Sequence, residues 1–517
     1  MNKVTLFYNT VKFLKAIQIY YRLFYFIRNK FRKFYGFRYP LSRKSNTRKL
    51  VLQTSLLVYH SKLHHNQFQF LNVQHDFKDN IDWNYIKNGK LWTYNLNYFD
   101  FLHQNSSCDG LMLIEDFIEK SKEITIGFES FPIALRGINW IKYFSYNNIN
   151  NEKVNDSLYA QYYRLDDNLE YHLLGNHLLE NGFSLLFGAY YFNDEYLYEK
   201  AKKILTEELD EQVLEDGAHF ELSPMYHQIM LYRLLDCINL IQNNGWRGEA
   251  LIGFLRDKAS LMLGWLEKIT YKNGDIPLLN DSTQKIALTS KELFEYAQSL
   301  SLKSFRRELN DSGYRKRTEK NYEAIVDVGK VGASYIPGHV HSDTFSFEVY
   351  VCNQPFIVDT GISTYERNDR RMYERSTKAH NTVELNGLNQ TDVWGSFRVA
   401  KRAEIISLDE TDKTIKATHD GYKSDNLYHT RVWTFTENEI VVEDRLNESS
   451  KAVSYLHFHP RVTREEIKES IYVKDYDIEW VEYQYAHGFN DLEKAWSLKI
   501  KFDLYLKMTI KINCDDN

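Results

Sequence analysis

The segment Gly338–Gly361, GHVHSDTFSFEVYVCNQPFIVDTG, decides the reading of this chain. After its two histidines it alternates. Phe345, Phe347, Val349 and Val351 fall on one side, with Thr344, Ser346, Glu348 and Tyr350 on the other, as a half-buried strand requires. Asn353-Gln354 reads as a turn and PFIVD as the returning strand. His339 and His341, spaced i, i+2, point to one side of an extended chain, and Asp359 and His380 follow at the ends of neighbouring segments. Two imidazoles and a carboxylate suit a metal ion, with one histidine left over for chemistry.

The same period of two runs outward from this segment. YEAIVDVG, NTVELNG, TIKATHD, HTRVWTFTENEIVVEDRL, SYLHFHP and SLKIKFDLYLKMTIKI all read as strands, separated by turns such as Asn386-Gly387. From about Trp92 to Leu300 the period is helical. NHLLENGFSLLFGAYYF, LYEKAKKILTEELDEQV, PMYHQIMLYRLLDCINLIQ and EALIGFLRDKASLMLGWLEKIT follow one another with no strands between them. Ser223 and Pro224 open the third of these as N-cap and first-turn proline. The expected fold is therefore α+β and multidomain: a basic, aromatic helical segment over 1–90, stacked helical hairpins in a bundle or toroid over 91–320, and an antiparallel β-sandwich over 321–517.

At 517 residues the chain is too long for one ordinary core. Aromatics reach 15%, rings that suit stacking on sugars, and the net charge of -5 gives no general attraction to nucleic acid. Cys108, Cys237, Cys352 and Cys514 are scattered without metal or redox spacing and read as small buried apolar residues, not disulfides. Residues 4–26 are apolar but broken by Lys12, Lys15 and Arg22, which excludes a spanning helix. No apolar run with a small-residue cleavage site is visible, so a standard secretory signal is not expected. A helix packed on the protein with a basic solvated face is the expected reading, ahead of one lying on an anionic membrane.

Three motifs concentrate chemistry. Asn176 and His177 open a helix in GNHLLENG, where they could donate to a ligand or simply bridge helices. DGAHFELSPMYHQ gathers Asp216, His219, Glu221, Tyr226 and His227. Tyr226 is a candidate proton donor or acceptor with a core aromatic as its rival reading, His227 and Glu221 are candidate substrate contacts, and Asp216 with Glu221 could form a glycosidase pair. RNDRRMYERSTKAH carries Arg367, Arg370, Arg371, Arg375 and Lys378. The forks of Arg367, Arg371 and Arg375 suit carboxylate or sulfate, the alternative being a solvated loop.

Taken in order, LWTYNLNYFDFL, GNHLLENG, DGAHFELSPMYH, PLLNDS, PGHVHSDTFSFE, VDTGISTYE, RSTKAHNTVELNG and NQTDVWGSFRVAKRA resemble the heparinase II/III-like polysaccharide lyases, over about 95–460. The resemblance implies an incomplete α/α toroid followed by antiparallel sheets, with a substrate cleft between them. It implies β-elimination on a uronate-containing glycan, with Asn176 and His177 on the uronate carboxylate, Tyr226 as catalytic tyrosine and His339 as catalytic histidine. Nearby histidines and the Arg cluster would ease a transient tyrosinate. His341, Asp359 and His380 match positions that hold a zinc ion better regarded as structural, and no organic cofactor is implied. The resemblance also permits a role in capsule or exopolysaccharide metabolism. An extracytoplasmic setting fits such a substrate. A non-catalytic glycan-binding or assembly protein, or a hydrolase using Asp216 and Glu221, are the competing expectations.

Overall fold

The computed structural model describes residues 3–53, 56, 61–64, 66–104, 110–247 and 249–514. Its first half is helical: α1 (Lys3–Val11), α2 (Ala16–Phe34), a hairpin of β1 (Gln67–Phe70) and β2 (Val73–Asp76), then α3 (Lys90–Tyr98), α4 (Gly110–Glu119), α5 (Ser130–Asn147), α6 (Glu152–Asp166), α7 (Gly175–Phe192), α8 (Glu195–Gln212), α9 (Pro224–Asn243), α10 (Glu249–Ile269) and α11 (Ser290–Ser299). Helices α5, α7 and α9 are buried almost all round, whereas their partners α6, α8 and α10 bury one stripe only. A helix apolar on every side belongs inside, so the hairpins α5–α6, α7–α8 and α9–α10 form an inner and an outer layer. Asn151, Asp194, Ser223 and Thr289 cap their helices by accepting a first-turn N–H.

The inner layer also carries charge. Lys142 on α5 donates to Asp236 on α9 at 2.9 Å, both fully enclosed, with the hydroxyls of Tyr232 and Tyr296 completing the set. Buried ions persist only when paired and hydrogen-bonded. This network fixes how two inner helices sit against each other.

The second half is β: β3 (Tyr314–Thr318), β4 (Tyr322–Asp327), β5 (Phe347–Val351), β6 (Gln354–Ile357), the short helix α12 (Asp369–Glu374), β7 (Val383–Leu385), β8 (Val393–Trp394), β9 (Arg398–Val399), β10 (Ile405–Glu410), β11 (Thr414–His419), β12 (His429–Phe435), β13 (Glu439–Leu446), β14 (Ala452–His457), α13 (Arg464–Ser470), β15 (Ile471–Val473), β16 (Asp477–Gly488), β17 (Asp491–Phe502) and β18 (Tyr505–Lys511). Three antiparallel sheets run in the orders β3-β4-β5-β6, β16-β17-β14-β7 and β10-β11-β12-β13-β18-β15. A second apolar core lies among them, built on Phe347, Val349, Trp433, Leu456 and Ile500.

Several expectations are corrected. The sheet begins at Tyr314, before the boundary placed at 321, because β3 pairs with β4. Phe68, Phe70, Ile81 and Trp83 of the first segment are part of the helical core. The alternating stretch is a strand only from Phe347, since Phe345 takes a positive φ of 67°. Its turn is Cys352-Asn353, both in the left-handed region, because Val351 pairs with Gln354. Nor is the strand half-exposed. Phe347 and Val349 face the β core, while Tyr350 joins the helical core and stacks on Tyr271 at 3.7 Å.

Cys352 and Cys514 form a disulfide, contrary to the expectation that no cysteines pair. The hairpin turn and the end of β18 bring their Cα atoms to 6.2 Å across 162 residues of sequence, a proximity spacing cannot reveal. Cys237 is free and buried as expected, and Cys108 lies outside the described residues.

Candidate active site

The site forms where α7 and α9 of the helical domain meet the loop 338–346 of the β domain. Helix α7 begins under constraint, with Leu174 at φ 63° and Gly175 at φ 58°. A Cβ on Gly175 would stand 2.9 Å from a Glu221 oxygen, so only glycine lets the chain turn there. Glu221 then receives the Asn176 backbone N–H at 3.1 Å, a carboxylate held at the positive end of a helix. This turn aims the Asn176 amide at the β domain, where its Nδ2 lies 3.4 Å from His339 Nε2.

Tyr226 sits in the first turn of α9, set by the Ser223 cap. Its ring stacks on His339 with centroids 3.8 Å apart, and its hydroxyl lies 3.3 Å from that of Tyr365. His177, Tyr226, His339 and Tyr365 remain partly accessible, while the groups behind them are sealed. Asn176 and Tyr226 also line a cavity of ≈ 160 Å³ with Tyr98, Phe131, Tyr365 and Phe489, so both domains contribute to its walls. His177 sits beside it, its ring 4.9 Å from Phe131 and its Nδ1 3.1 Å from Glu170.

The organising residue is Asp281, which reading single motifs did not pick out. It lies in the crossing between domains and is completely buried. His339 Nδ1 meets its Oδ2 at 2.9 Å, His341 Nε2 meets its Oδ1 at 2.7 Å, and Arg371 embraces both oxygens. Burial by itself would raise this carboxyl, but Arg371 and the two histidines hold it well below the usual range. The signal in the sequence was an acidic residue just after the apolar pair Leu278-Leu279 in PLLNDS.

Arg371 is thus turned inward, bound to Asp281 and covered by the Tyr365 ring, and it presents no donor to the cleft. Arg375 is likewise buried and donates to the carbonyls of Val340 and Gly395, which fixes the loop carrying the histidines. His227 lies under α9, against the Met262 carbonyl and the His219 N–H. Burial lowers its pKa to about 3, so it is neutral. Arg367 stands exposed. Of the five expected substrate contacts, Glu221 alone approaches the His339 Nε2 face, at 3.4 Å. Asp216 accepts from Ala218, Asn310 and Ser312 and serves as a buried loop anchor.

The surroundings of Tyr226 also differ from expectation. Burial, joined by the charges of Asp281 and Glu221, pushes its phenol above the ordinary value, against the opposing pull of Tyr365 and Arg371. The site holds a neutral phenol.

His341, Asp359 and His380 are close neighbours. Asp359 Oδ2 is 2.6 Å from His380 Nδ1, and the two imidazole rings are 5.2 Å apart. Burial drives His341 to a pKa of about 3, leaving it neutral. His341 Nδ1 and His380 Nε2 are buried without hydrogen-bond partners. As they stand, no three His, Cys, Asp or Glu side chains among the described residues have metal-holding geometry, and Asp359 is engaged with His380 and Gly361.

The profile described as Heparinase II/III N-terminus matches residues 140–305, and that described as Heparinase II/III-like, C-terminal matches 304–503. A heparin-sulfate lyase of Bacteroides stercoris is 24% identical over 316 residues, covering 56% of this chain and 46% of that protein. A heparin-sulfate lyase of Bacteroides thetaiotaomicron is 23% identical over 281 residues, covering 46% and 39%. The chain therefore spans less than half the length of these curated relatives. The crystal structure of heparinase III matches with a TM-score of 0.67 over 96% of this chain and 91% of that one, at 15% identity, a likeness of fold.

Proposed function

The chain belongs to the heparinase II/III family, and on that premise we propose that it is a polysaccharide lyase that cleaves an anionic, uronate-containing glycan by β-elimination. The observation that carries this reading is the Tyr226–His339 stack beside the Asn176 amide, with Asp281 behind His339.

β-Elimination removes the weakly acidic C5 proton of a uronate and expels the oxygen at C4. The carboxylate charge opposes carbanion formation, so donors on that carboxylate must absorb the developing enolate charge. Asn176 and His177 open α7 at the cleft and take this role. Asp281 accepts from His339 Nδ1, which leaves Nε2 as the proton acceptor, the logic by which a buried carboxylate fixes the tautomer of a catalytic imidazole. The neutral Tyr226 phenol is suited to deliver a proton to the leaving oxygen. His339 as base and Tyr226 as acid is therefore the assignment favoured over a lone tyrosinate. Glu221 holds the start of α7, and Arg371 and Arg375 position the loop. With Asp216 engaged by its loop, the hydrolase alternative lacks one member of its pair.

Zinc at His341, Asp359 and His380 is part of the same proposal, supported by two buried imidazole nitrogens without hydrogen-bond partners. Binding would require Asp359 to exchange its bond to His380 for the ion. The metal would tie three loops together, and no chemical step runs through it. Metal analysis tests this: wild-type protein should retain zinc, and His380→Ala should lose both the zinc and thermal stability.

The activity is tested by incubating the protein with heparan, chondroitin and polyuronate polymers and with the source cell's own exopolysaccharide, following ultraviolet absorbance. A rise from the conjugated 4,5-unsaturated uronate is expected. Chain shortening without that absorbance would indicate hydrolysis, and no cleavage of any polymer would point to a binding or assembly role.

A further inference from the structure

The helix α2 is amphipathic in the wrong sense for a helix whose only partner is this protein. Its inward face is polar. Gln18 donates to the Leu173 carbonyl, Arg22 to that of His172 and Tyr25 to that of Leu169, while Arg28 and Arg32 pair with Asp167. Its outward face is apolar. Tyr20, Leu23, Phe24, Ile27, Phe31 and Phe34 repeat at i, i+3, i+4, i+7, i+11 and i+14, and all are solvent-exposed, Leu23 at 58%, Phe31 at 60% and Phe34 at 82%. Phe7 and Tyr8 of α1 extend the surface. Burying such a stripe is the usual reason for a helix to be amphipathic, so an exposed one marks a missing partner.

Charge identifies the partner. The first 75 residues hold fourteen Lys and Arg and no Asp or Glu, in a chain whose net charge is -5. Lys12, Lys30, Lys33 and Arg38 are exposed around the stripe and make no ion pair with a described residue. A second copy laid on this face would bring cations against cations with no carboxylate between them. Aromatic and aliphatic side chains rimmed by Lys and Arg fit a bilayer of anionic lipids, with the rings at the acyl boundary and the cations at the headgroups. No helix among the described residues is long and apolar enough to cross a membrane, so the contact is one of lying on the surface.

We propose that α2, with α1, docks this protein on an anionic membrane surface. The docking is independent of the reaction assigned above and stands or falls separately from it.

The test is co-sedimentation of the full chain with phosphatidylcholine vesicles and with vesicles containing roughly one third phosphatidylglycerol, at physiological salt. Wild type should pellet with the anionic vesicles. Leu23→Ser/Ile27→Ser/Phe31→Ser should weaken partitioning by at least about tenfold, since each change removes exposed apolar area that would be buried in lipid. Lys30→Glu/Lys33→Glu should weaken it comparably on anionic vesicles and leave any residual binding to neutral ones unaltered. Circular dichroism and melting of both variants should match wild type, because every substituted side chain points to solvent. Failure of wild type to pellet with anionic vesicles would overturn the proposal, as would undiminished pelleting of the triple variant. A wild-type dimer in light scattering that the triple variant abolishes would also overturn it, by assigning the face to self-association.

Discussion

At the residue scale the candidate site is two stacked rings and one hidden carboxylate. In the proposed reaction Tyr226 and His339 are the proton-transfer pair, and Asp281 would act on the substrate only through His339. Tyr226→Phe keeps the ring stack and removes the proton, so turnover should fall by at least about a thousandfold with the melting temperature unchanged. Full activity in this variant would remove Tyr226 from the mechanism. Asp281→Asn should lower kcat by about a hundredfold to ten-thousandfold while KM shifts less than about threefold, because it disturbs the imidazole tautomer more than sugar contact. A merely structural Asp281 would instead lower the folded fraction and leave the kcat of the remaining enzyme intact. That Tyr226 and His339 would lie together was implied only by the family resemblance of their motifs, and the ring stack is consistent with it. The inward turn of Arg371 and Arg375 was not legible, because an Arg-rich loop reads the same whether its guanidinium groups meet solvent or a buried carboxylate.

At the element scale, the helices place the site by their ends. The Ser223 cap, read from local sequence chemistry, fixes Tyr226, and the Gly175 turn, seen in the structure, fixes Asn176. Helix α8 carries a testable titration. Burial raises Glu208 to a pKa of about 7, although Gln212 donates to it at 2.6 Å. A carboxyl raised in the folded state binds its proton more tightly there than in the unfolded chain. Its stability contribution is therefore complete below about pH 4.5 and is lost as pH rises toward 7. Glu208→Gln should melt like wild type near pH 4.5 and higher than wild type at pH 7.5, by up to roughly 3 kcal/mol. A constant difference between the variants across that range would rule this out. The alternation anticipated a strand, which runs only from Phe347 to Val351, and its pairing with the following segment Gln354–Ile357. It could not show that both faces are covered, because a polar residue such as Glu348 sits on a buried face once three donors, from Tyr271, Leu278 and Asp359, surround it.

At the scale of the whole molecule, the two domains share one chemical site and one interface. Tyr271 of the helical domain stacks on Tyr350 and donates to Glu348, both on β5. Tyr271→Ala should cost about 3–5 kcal/mol, the usual consequence of emptying a buried aromatic site. It should also depress kcat, because Tyr226 and His339 come from opposite sides of this seam. Calorimetry with matched kinetics checks both, and an intact kcat with a lowered melting temperature would show that the seam does not hold the site. The sequence by itself determined the succession of helices and strands, the caps and turns, and the residues able to do acid–base chemistry, because periodicity and motif chemistry are local. Only the tertiary structure decided that Asp281 gathers His339, His341 and Arg371, that Cys352 reaches Cys514, and that α2 turns its aromatic side outward. Each of these depends on residues far apart in the chain meeting in space, and no spacing rule encodes which partner a side chain finds there.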